Sequence, residues 1–581
     1  MNSSEKGPAP QRTSTAGKHL TVAFLVGQDN ASTRLSIDTV CRLQGVRPRA
    51  VLIDTAKSSF RVRLRNLRRN IRREGMSYIG FRAIEAVREI LDHWAERIAP
   101  RADVGRLLRK AFPESSFSLG DLATRYGFQV IDAGNLNGQF AVASLRELQP
   151  DLGIVLGTRI LKRSTFAIPR LGSINLHKGK VPEYRGMPPG FWELHLGSDS
   201  AGVTVHFVDD RLDTGDIVGT DEIPIHPKET PESLKVKLDT VGARLLATVV
   251  ASFVEGKETR TVQPPTQQKP WSNPTRKQRL ELQRQLPHWR VQSEASQALK
   301  TFLYLAIFYC GIYHLVRWAR RRQSRAAILL YHRVNDYSLD VLTTTTERFA
   351  EHLVVLSRYY TTTRSSVLVD CLIRRDSIQP GTVVIHFDDC YRDVRTYAAP
   401  LLRAAGQSGT GFISSGFIDT DRAFAHDVQK YPHVFENLRA DDVRSLTEYG
   451  LEVGSHTVNH VDLGAVEIEQ ARVEVFESRR QLEQILERPV LSFSFPFGRL
   501  ENIREEVRQL VRNAGYHALF SAHGGFVDKS TDPFDIPRFG VSWEHSPLSL
   551  LMDLEGLSIS QLKEMMARNA AKAVRTLRFR K

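Results

Sequence analysis

Two groups of residues in this chain carry side chains suited to acid–base or metal chemistry. The first lies in GSINLHKGKVPEYRGMPPGFWELHLG, residues 172–197, where Asn175 and His177 sit two residues apart at the end of an apolar run. Further on, HFVDDRLDTGDIV supplies Asp213 in a Gly-containing loop. An amide, an imidazole and a carboxylate brought to one crevice suit acyl transfer to an amine, because the amine must lose a proton and a tetrahedral oxyanion must be held. Each of the three alone reads more simply, as a turn cap, a satisfied loop histidine and a turn-starting aspartate. The second group begins with two adjacent carboxylates, Asp388 and Asp389 in HFDDCY, and adds His456 and His460 in GSHTVNH. One carboxylate can bind a metal while its neighbour, angled elsewhere, acts as base. His456 and His460 are spaced i and i+4, so one turn of helix would aim both imidazoles the same way. One carboxylate and two histidines leave coordination positions open for the water that a hydrolytic metal activates. An HxxxH spacing by itself is usually two surface or packed histidines; the Asp pair upstream favours the metal reading.

The elements that must hold these groups follow from hydrophobic periodicity. Strands are expected at 20–27, 50–55, 128–131, 152–157, 172–176 and 202–207, with helices around 140–148 and 232–253. Nearly continuous apolar strands alternating with helices predict a mostly parallel sheet covered on both faces, with its ligand crevice at the strand ends. An Arg-rich stretch and a helix, ending near Phe112, interrupt the alternation. From Glu255 to Gln297 the composition shifts to Gln, Thr, Pro and Lys, including Pro264, Pro265, Pro270, Pro274 and Pro287. This reads as a linker, and it predicts that residues 1–260 express alone as a separable domain. A second α/β series begins with AILLYH at Ala327 and continues through TVVIHFDD, GTGFIS, LEVGSH and LSFSFPFG, with a helix near 465–486.

The chain has 581 residues, of which 41% are hydrophobic and 25% charged, which excludes wholesale disorder and predicts several domains. Its formal charge of +15 is local: Arg61–Arg73 holds seven Arg, Arg317–Arg325 five Arg and Arg568–Lys581 six bases, none with an acid. Three short patches suit a membrane surface or polyanion contact, and no nucleic-acid partner is expected. Four unpaired Cys suggest neither a disulfide framework nor a Cys-type zinc site. The polar residues 1–19 read as a disordered tail without the apolar core of a secretion signal, so a cytoplasmic location is expected. The run FLYLAIFYCGIYHLV, residues 302–316, is too short to span a bilayer and is followed by the second Arg patch. Two readings stay open: a helix packed against a domain, or an interfacial anchor at the inner face of an anionic membrane, with Tyr304 and Phe308 among the inserted side chains.

The first group and its surroundings resemble the folate-dependent formyltransferases, which include methionyl-tRNA formyltransferase, glycinamide ribonucleotide formyltransferase and the sugar-amine N-formyltransferases. The matching residues are Ile174-Asn175-Leu176-His177, Pro182-x-Tyr184-Arg185-Gly186, and Gly202-Val203-Thr204 leading to Leu212-Asp213-Thr214-Gly215. The resemblance covers residues 20–255 and implies a Rossmann-like domain that uses 10-formyltetrahydrofolate as donor. It implies Asn175 and His177 as the groups that polarise the formyl carbonyl, and Asp213 as the group that orients His177 and takes the amine proton through water. It places Leu156, Gly157, Ile160 and Leu161 at the cofactor. Lys178-Gly179-Lys180 departs from the Ser-Leu-Leu of the tRNA enzyme, and the Pro/Gln stretch stands in place of its β-barrel. Both departures point to a sugar amine as acceptor.

The second group resembles the polysaccharide deacetylases with a NodB-type domain, through LLYHRV near Tyr331, the FDD motif, HTxxH, and SFPFG at 494–498. This implies an α/β fold of distorted (β/α) barrel type over 326–560, Asp388 as general base, and Asp389, His456 and His460 as ligands of a divalent metal, zinc. Cys390 replaces the usual Gly after the Asp pair, the Arg before the Pro motif is absent, and no Leu-x-His motif supplies a general acid, for which His523 and His545 are the downstream candidates. The remaining boundaries are a linker at 256–298, an apolar and basic helix at 299–325 and a basic C-terminal helix or tail at 561–581. Together the resemblances imply a bifunctional enzyme exchanging N-acetyl for N-formyl on a nucleotide- or lipid-linked amino sugar in surface-glycan synthesis. Formylation and later deformylation of an aminoarabinose-type sugar on successive carriers is a second reading, and a glycan-binding scaffold with one inactive domain a third.

Overall fold

The computed structural model describes residues 19–56, 60–113, 118–264, 266–287, 289, 294–338, 340–428, 435–559 and 561. The expected N-terminal tail and basic C-terminus lie almost wholly outside these. Two compact units emerge: one from Met1–Ser58, Ser116–Pro224 and Leu238–Asn273, the other from Ser59–Ser115, Ile225–Lys237 and Pro274–Lys581.

The first unit is built on seven strands: β1 (Leu20–Val26), β2 (Val46–Asp54), β3 (Gln129–Gly134), β4 (Leu152–Leu156), β5 (Ser173–His177), β6 (Ser200–Phe207) and β7 (Ile217–Pro224). They pair in the order β3-β2-β1-β4-β5-β6-β7, parallel from β3 to β5, with β6 antiparallel to both its neighbours. Along β1 the pleat divides one apolar run between two layers. Val22, Phe24 and Val26 join a cluster with Ile37, Val249 and Phe253; Ala23 and Leu25 join another with Leu145 and Phe166. A strand buried on both faces has no polar side, which is why LTVAFLV shows no period of two. Strand order reverses beside β1, and such a switch opens a crevice at the carboxyl ends of β1 and β4. There the backbones approach so closely that a Cβ on Gly27 would lie 1.9 Å from the Gly157 carbonyl oxygen.

Two stretches depart from the sequence expectation. The Arg-rich interruption forms three helices, which with the helix after β1, α1 (Ala31–Cys41), are numbered α2 (Phe60–Glu74), α3 (Ser77–Glu96) and α4 (Arg101–Ala111). These three belong to the second unit, where α4 buries Val104 and Leu108 and packs against the helices Thr346–Tyr359 and Ala399–Ala405. A cut at residue 260 would therefore remove part of that unit's core, and the simple separation expected of 1–260 does not follow. The Pro-rich stretch is also no free linker. Trp271 stacks on Trp192 at 4.4 Å between ring centroids and its N–H donates to the Arg185 carbonyl at 2.8 Å, while Thr261 bridges Ile217 in both directions at 2.8 Å. Beyond it, the helix Arg276–Gln285 starts with a reciprocal Thr275–Gln278 cap and buries Leu282.

The second unit holds a curled sheet of short strands. Ala518–Phe520, Ser492–Ser494, Glu452–Ser455, Thr410–Ile413, Thr382–Phe387 and Arg325–Tyr331 follow one another in parallel, and Val527–Asp528 closes the order antiparallel. Ile328, Val384, Phe412 and Phe520 centre its apolar core. The 302–316 run falls on two helices, Glu294–Tyr309 and Ile312–Arg320, which meet at 64°. Among the described residues no single helix is long and apolar enough to cross a membrane.

Candidate active sites

In the first unit, β5 presents Asn175 and His177 on one face because successive side chains alternate. Antiparallel register sets Asn175 opposite His206 of β6, and Asn175 Nδ2 lies 3.2 Å from His206 Nε2. Asp213 follows β6 with φ +53°, a left-handed conformation that a residue with a Cβ adopts only when its surroundings impose it. They do so here. Thr214 Oγ1 donates to both oxygens of Asp209 at 2.9 and 2.8 Å, Gln263 Nε2 donates to the Gly215 carbonyl at 2.6 Å, and a Cβ on Gly215 would lie 1.9 Å from the Phe207 carbonyl oxygen. The turn aims the buried Asp213 carboxylate between two imidazoles, 3.6 Å from His177 Nδ1 and 3.6 Å from His206 Nε2, and the Gly186 N–H donates to it at 3.1 Å.

His177 Nε2 lies 2.8 Å from the Tyr184 carbonyl, which can only accept, so Nε2 carries the proton and the neutral ring turns a bare Nδ1 towards Asp213. Burial pushes the His177 imidazole below its usual range, against the pull of Asp213. Burial alone would raise Asp213, but His206 and the charge of His177 outweigh it and hold the carboxyl below the usual carboxylate range. Near neutral pH the site is thus a neutral imidazole beside an ionised carboxylate, with Nδ1 as the atom that takes up a proton. Gly179 is required at the turn after β5, since a Cβ there would lie 2.6 Å from His177 Nε2. Of the residues expected at the cofactor, Leu156 and Leu161 are buried in the two apolar clusters. Gly157 and Ile160 are exposed just beyond the carboxyl end of β4.

In the second unit, Asp388 and Asp389 follow the strand Thr382–Phe387, and their side chains diverge. Asp389 and Cys390 adopt φ +61° and +53°, with the Cys390 N–H donating to the Asp388 carbonyl at 2.6 Å. Cys390 is accommodated in the glycine-like turn because Gly411 faces it; a Cβ on Gly411 would lie 2.7 Å from its Sγ. Asp388 accepts a bidentate pair from Arg538, 2.7 Å to each oxygen, and Ser494 Oγ lies 3.2 Å from both. Burial would raise Asp388, but the Arg538 guanidinium and then His456 pull it down to about 2. Arg538, absent from the sequence reading, thus supplies the guanidinium missing before the Pro motif.

Asp389 faces three imidazoles: His460 Nε2 at 3.0 Å, His426 Nε2 at 3.4 Å and His456 Nε2 at 3.6 Å. Neither of its buried oxygens accepts a hydrogen bond of good geometry among the described residues. A buried carboxylate left in this state is costly unless a cation occupies the site. The imidazoles nevertheless keep it ionised, well below the usual carboxylate range against the opposing effect of burial. His456 Nδ1 donates to the Ser494 carbonyl at 2.8 Å, which fixes its tautomer and leaves an Nε2 lone pair facing Asp389. Burial lowers His456 to about 4, so it is neutral at neutral pH. One carboxylate and three imidazole nitrogens form a donor set that fits a divalent ion such as zinc, although Asp389 raises the His460 imidazole above its usual range against the effect of burial. His426 joins Asp389 and His460 within ligand reach of one another and was not foreseen.

The two histidines of HTVNH are not brought together by a helical turn. Thr457 and His460 both adopt left-handed φ, +67° and +55°, and the loop is tied by Glu474, which accepts from the Val458 and Asn459 N–H groups at 2.8 Å each. The two candidates for general acid bond elsewhere: His523 lies 3.2 Å from Asp535, and His545 accepts from the Ser542 N–H at 3.1 Å.

Residues 107–250 match the formyl transferase family model, and residues 376–519 match that of the polysaccharide deacetylases. The chain joins a formyl transferase domain to a polysaccharide deacetylase domain. Asn175, His177 and Asp213 fall within the first match, and Asp388, Asp389, His456 and His460 within the second. The formyl transferase domain is 35% identical over 135 residues to a methionyl-tRNA formyltransferase of Porphyromonas gingivalis, covering 23% of this chain and 42% of that protein. The chain thus spans less than half the length of that relative. Among solved structures, the chain is similar to the Streptococcus pyogenes deacetylase PplD in complex with acetate, at 19% identity over 40% of this chain and 98% of that one, with a TM-score of 0.35. It is also similar to a sugar N-formyltransferase from a Shewanella species, at 15% identity over 46% of this chain and 88% of that one, with a TM-score of 0.28. The two matched domains support a transferase and a deacetylase hydrolase, and the first implies a folate-type formyl donor.

Proposed function

We propose that the protein exchanges N-acetyl for N-formyl on an amino sugar carried by a nucleotide or a lipid, in the cytoplasm. The observation that carries this reading is that one chain holds both sites, and each site's chemistry complements the other's. Hydrolysis of the amide by water gives acetate and a free amine. Attack of that amine on 10-formyltetrahydrofolate gives the formamide and tetrahydrofolate.

At the deacetylase site, a divalent ion held by Asp389, His456 and His460, zinc by its donor set, would lower the pKa of a bound water and polarise the amide carbonyl. Asp388, ionised and oriented by Arg538 and Ser494, would serve as the general base. At the formyl transferase site, Asn175 would donate to the formyl oxygen as it becomes an oxyanion, the bare His177 Nδ1 would take the amine proton, and Asp213 would stabilise the imidazolium that forms.

Mass spectrometry tests the reading. N-acetyl amino-sugar nucleotides and lipid-linked N-acetyl sugars are incubated with the protein, 10-formyltetrahydrofolate and zinc, beside methionyl-tRNA and an N-formyl sugar. Replacement of acetyl by formyl on a sugar is expected. Formylation of methionyl-tRNA alone, or hydrolysis of the N-formyl sugar alone, would overturn it.

A further inference from the structure

The second unit carries an apolar face that its own core does not use. Helix α3 has twenty residues and not one is fully buried. Ile79, Val87, Ile90 and Trp94 fall on one stripe of it at helical spacing, and all four are exposed, Ile90 at 60%. On the helix Glu294–Tyr309, which packs beside α3, Tyr304 and Phe308 turn inward and are buried, whereas Phe302 and Leu303 are exposed. The helix after the bend adds Ile312, Leu315 and Trp318, with Leu315 at 63%. Exposed large apolar side chains are normally scattered singly; here they gather on helices of one unit that pack in sequence, α3 on Glu294–Tyr309 and that helix on Ile312–Arg320.

Charge frames this face. Arg65, Arg68, Arg69 and Arg72 are exposed on α2, which joins α3 through a short turn at Gly75, and no acid occurs between Arg61 and Arg73. After the bend, Arg317, Arg320, Arg321 and Arg325 line one cleft in which Glu555 is the single carboxylate. Arg97 lies over the Trp94 ring at 4.4 Å and Arg322 over the Trp318 ring at 4.3 Å, so each tryptophan of the face carries a guanidinium. Tryptophan and arginine side by side at the margin of an apolar stripe suit the boundary between acyl chains and phosphate headgroups.

We infer that this face docks the enzyme on an anionic lipid bilayer, lying in the interface and not crossing it. A second copy of the chain is the poorer occupant, because self-pairing would bring two Arg-rich margins together. No single described helix is long and apolar enough to span; the bent pair Ala295–Tyr309 and Ile312–Arg320 reaches that length together, but Tyr304, Leu305, Phe308 and Tyr313 on it are buried within the protein, which suits a helix pair lying on the surface. The inference is independent of which sugar the active sites take.

The test is flotation of the full-length protein with vesicles of phosphatidylcholine alone and of phosphatidylcholine with phosphatidylglycerol. Wild type should float with the anionic vesicles, less at high salt, and poorly with the neutral ones. A variant with Ile90→Glu, Phe302→Glu and Leu315→Glu replaces exposed side chains only; it should unfold at the wild-type temperature and lose roughly tenfold or more in partitioning. A second variant, Arg68→Gln, Arg69→Gln, Arg321→Gln and Arg322→Gln, should lose the preference for anionic lipid. Failure of wild type to float with either vesicle, or equal flotation of the triple Glu variant, overturns the inference. So does a dimer in solution that becomes monomeric in that variant, since it would assign the face to a second copy.

Discussion

The two candidate sites solve the burial of charge in opposite ways. In the formyl transferase domain the Asp213 carboxylate is satisfied by the protein, receiving the Gly186 N–H and lying between the imidazoles of His177 and His206. In the deacetylase domain Asp388 is satisfied in the same manner by Arg538, but Asp389 beside it is not, and both its oxygens stand bare before three histidines. The first carboxylate is satisfied by the protein's own groups, whereas Asp389 faces three imidazoles, at 3.0 to 3.6 Å, in an arrangement that a divalent ion would fit. Both rely on backbone held in the left-handed region: among the described residues, six of the ten non-glycine residues with positive φ are Asp213, Asp389, Cys390, Thr457, His460 and Phe497, all at these sites. Strain of this kind persists only where neighbours impose it, and here it aims carboxylates and imidazoles.

This contrast is sharpest at Asp389. Asp389→Asn should remove bound metal and reduce amide hydrolysis to background while leaving formyl transfer intact; metal analysis of the purified variant with both assays checks it. Retained metal would show that the histidines suffice without the carboxylate. Arg538→Met comes next. It leaves Asp388 buried and unpaired, which costs about 3–5 kcal/mol of stability. Denaturant unfolding followed in the deacetylase domain should show that loss, and an unchanged midpoint would mean that the ion pair holds little. The smallest effect is a pH shift. His206 helps hold Asp213 down, and its charge opposes protonation of His177, so His206→Ala should raise both groups. The acid limb of kcat/KM for formyl transfer, set by protonation of these groups as pH falls, should therefore move to higher pH. A limb that stays in place or moves down would remove His206 from the site.

How much of this was legible in the sequence depends on how far apart the cooperating residues lie. Asn175 and His177 share one strand end, and Asp388 and Asp389 are adjacent, so type and spacing singled them out as candidates. The layers of the first sheet were legible too, because a strand buried on both faces writes its burial as a continuous apolar run. Arg538 was not, because it meets Asp388 across 150 residues and lies in IPRFG, which has no periodic signal of its own. Gln263 and Trp271 were hidden by composition: a Pro-rich stretch reads as linker, yet backbone bonds and one tryptophan stack hold it against the Asp213 loop and Arg185. His456 and His460 were identified, but by the wrong geometry, since i and i+4 spacing cannot tell a helical turn from a loop with two left-handed residues. The assignment of α2–α4 to the second unit was invisible because the helices that α3 and α4 pack against, Glu294–Tyr309 for α3 and Thr346–Tyr359 and Ala399–Ala405 for α4, lie far downstream.

The central claim is that one chain frees an amine at one site and formylates it at the other. Its most direct test is the Asp213→Ala variant incubated with an N-acetyl amino-sugar substrate of the wild-type enzyme, zinc and 10-formyltetrahydrofolate. Loss of the carboxylate should cost formyl transfer on the order of 10² or more in rate and leave hydrolysis unaffected. Free amino sugar should accumulate in the variant, while the wild type delivers the N-formyl sugar. Undiminished N-formyl product, or no free amine from an N-acetyl sugar that the wild type converts, would contradict the claim.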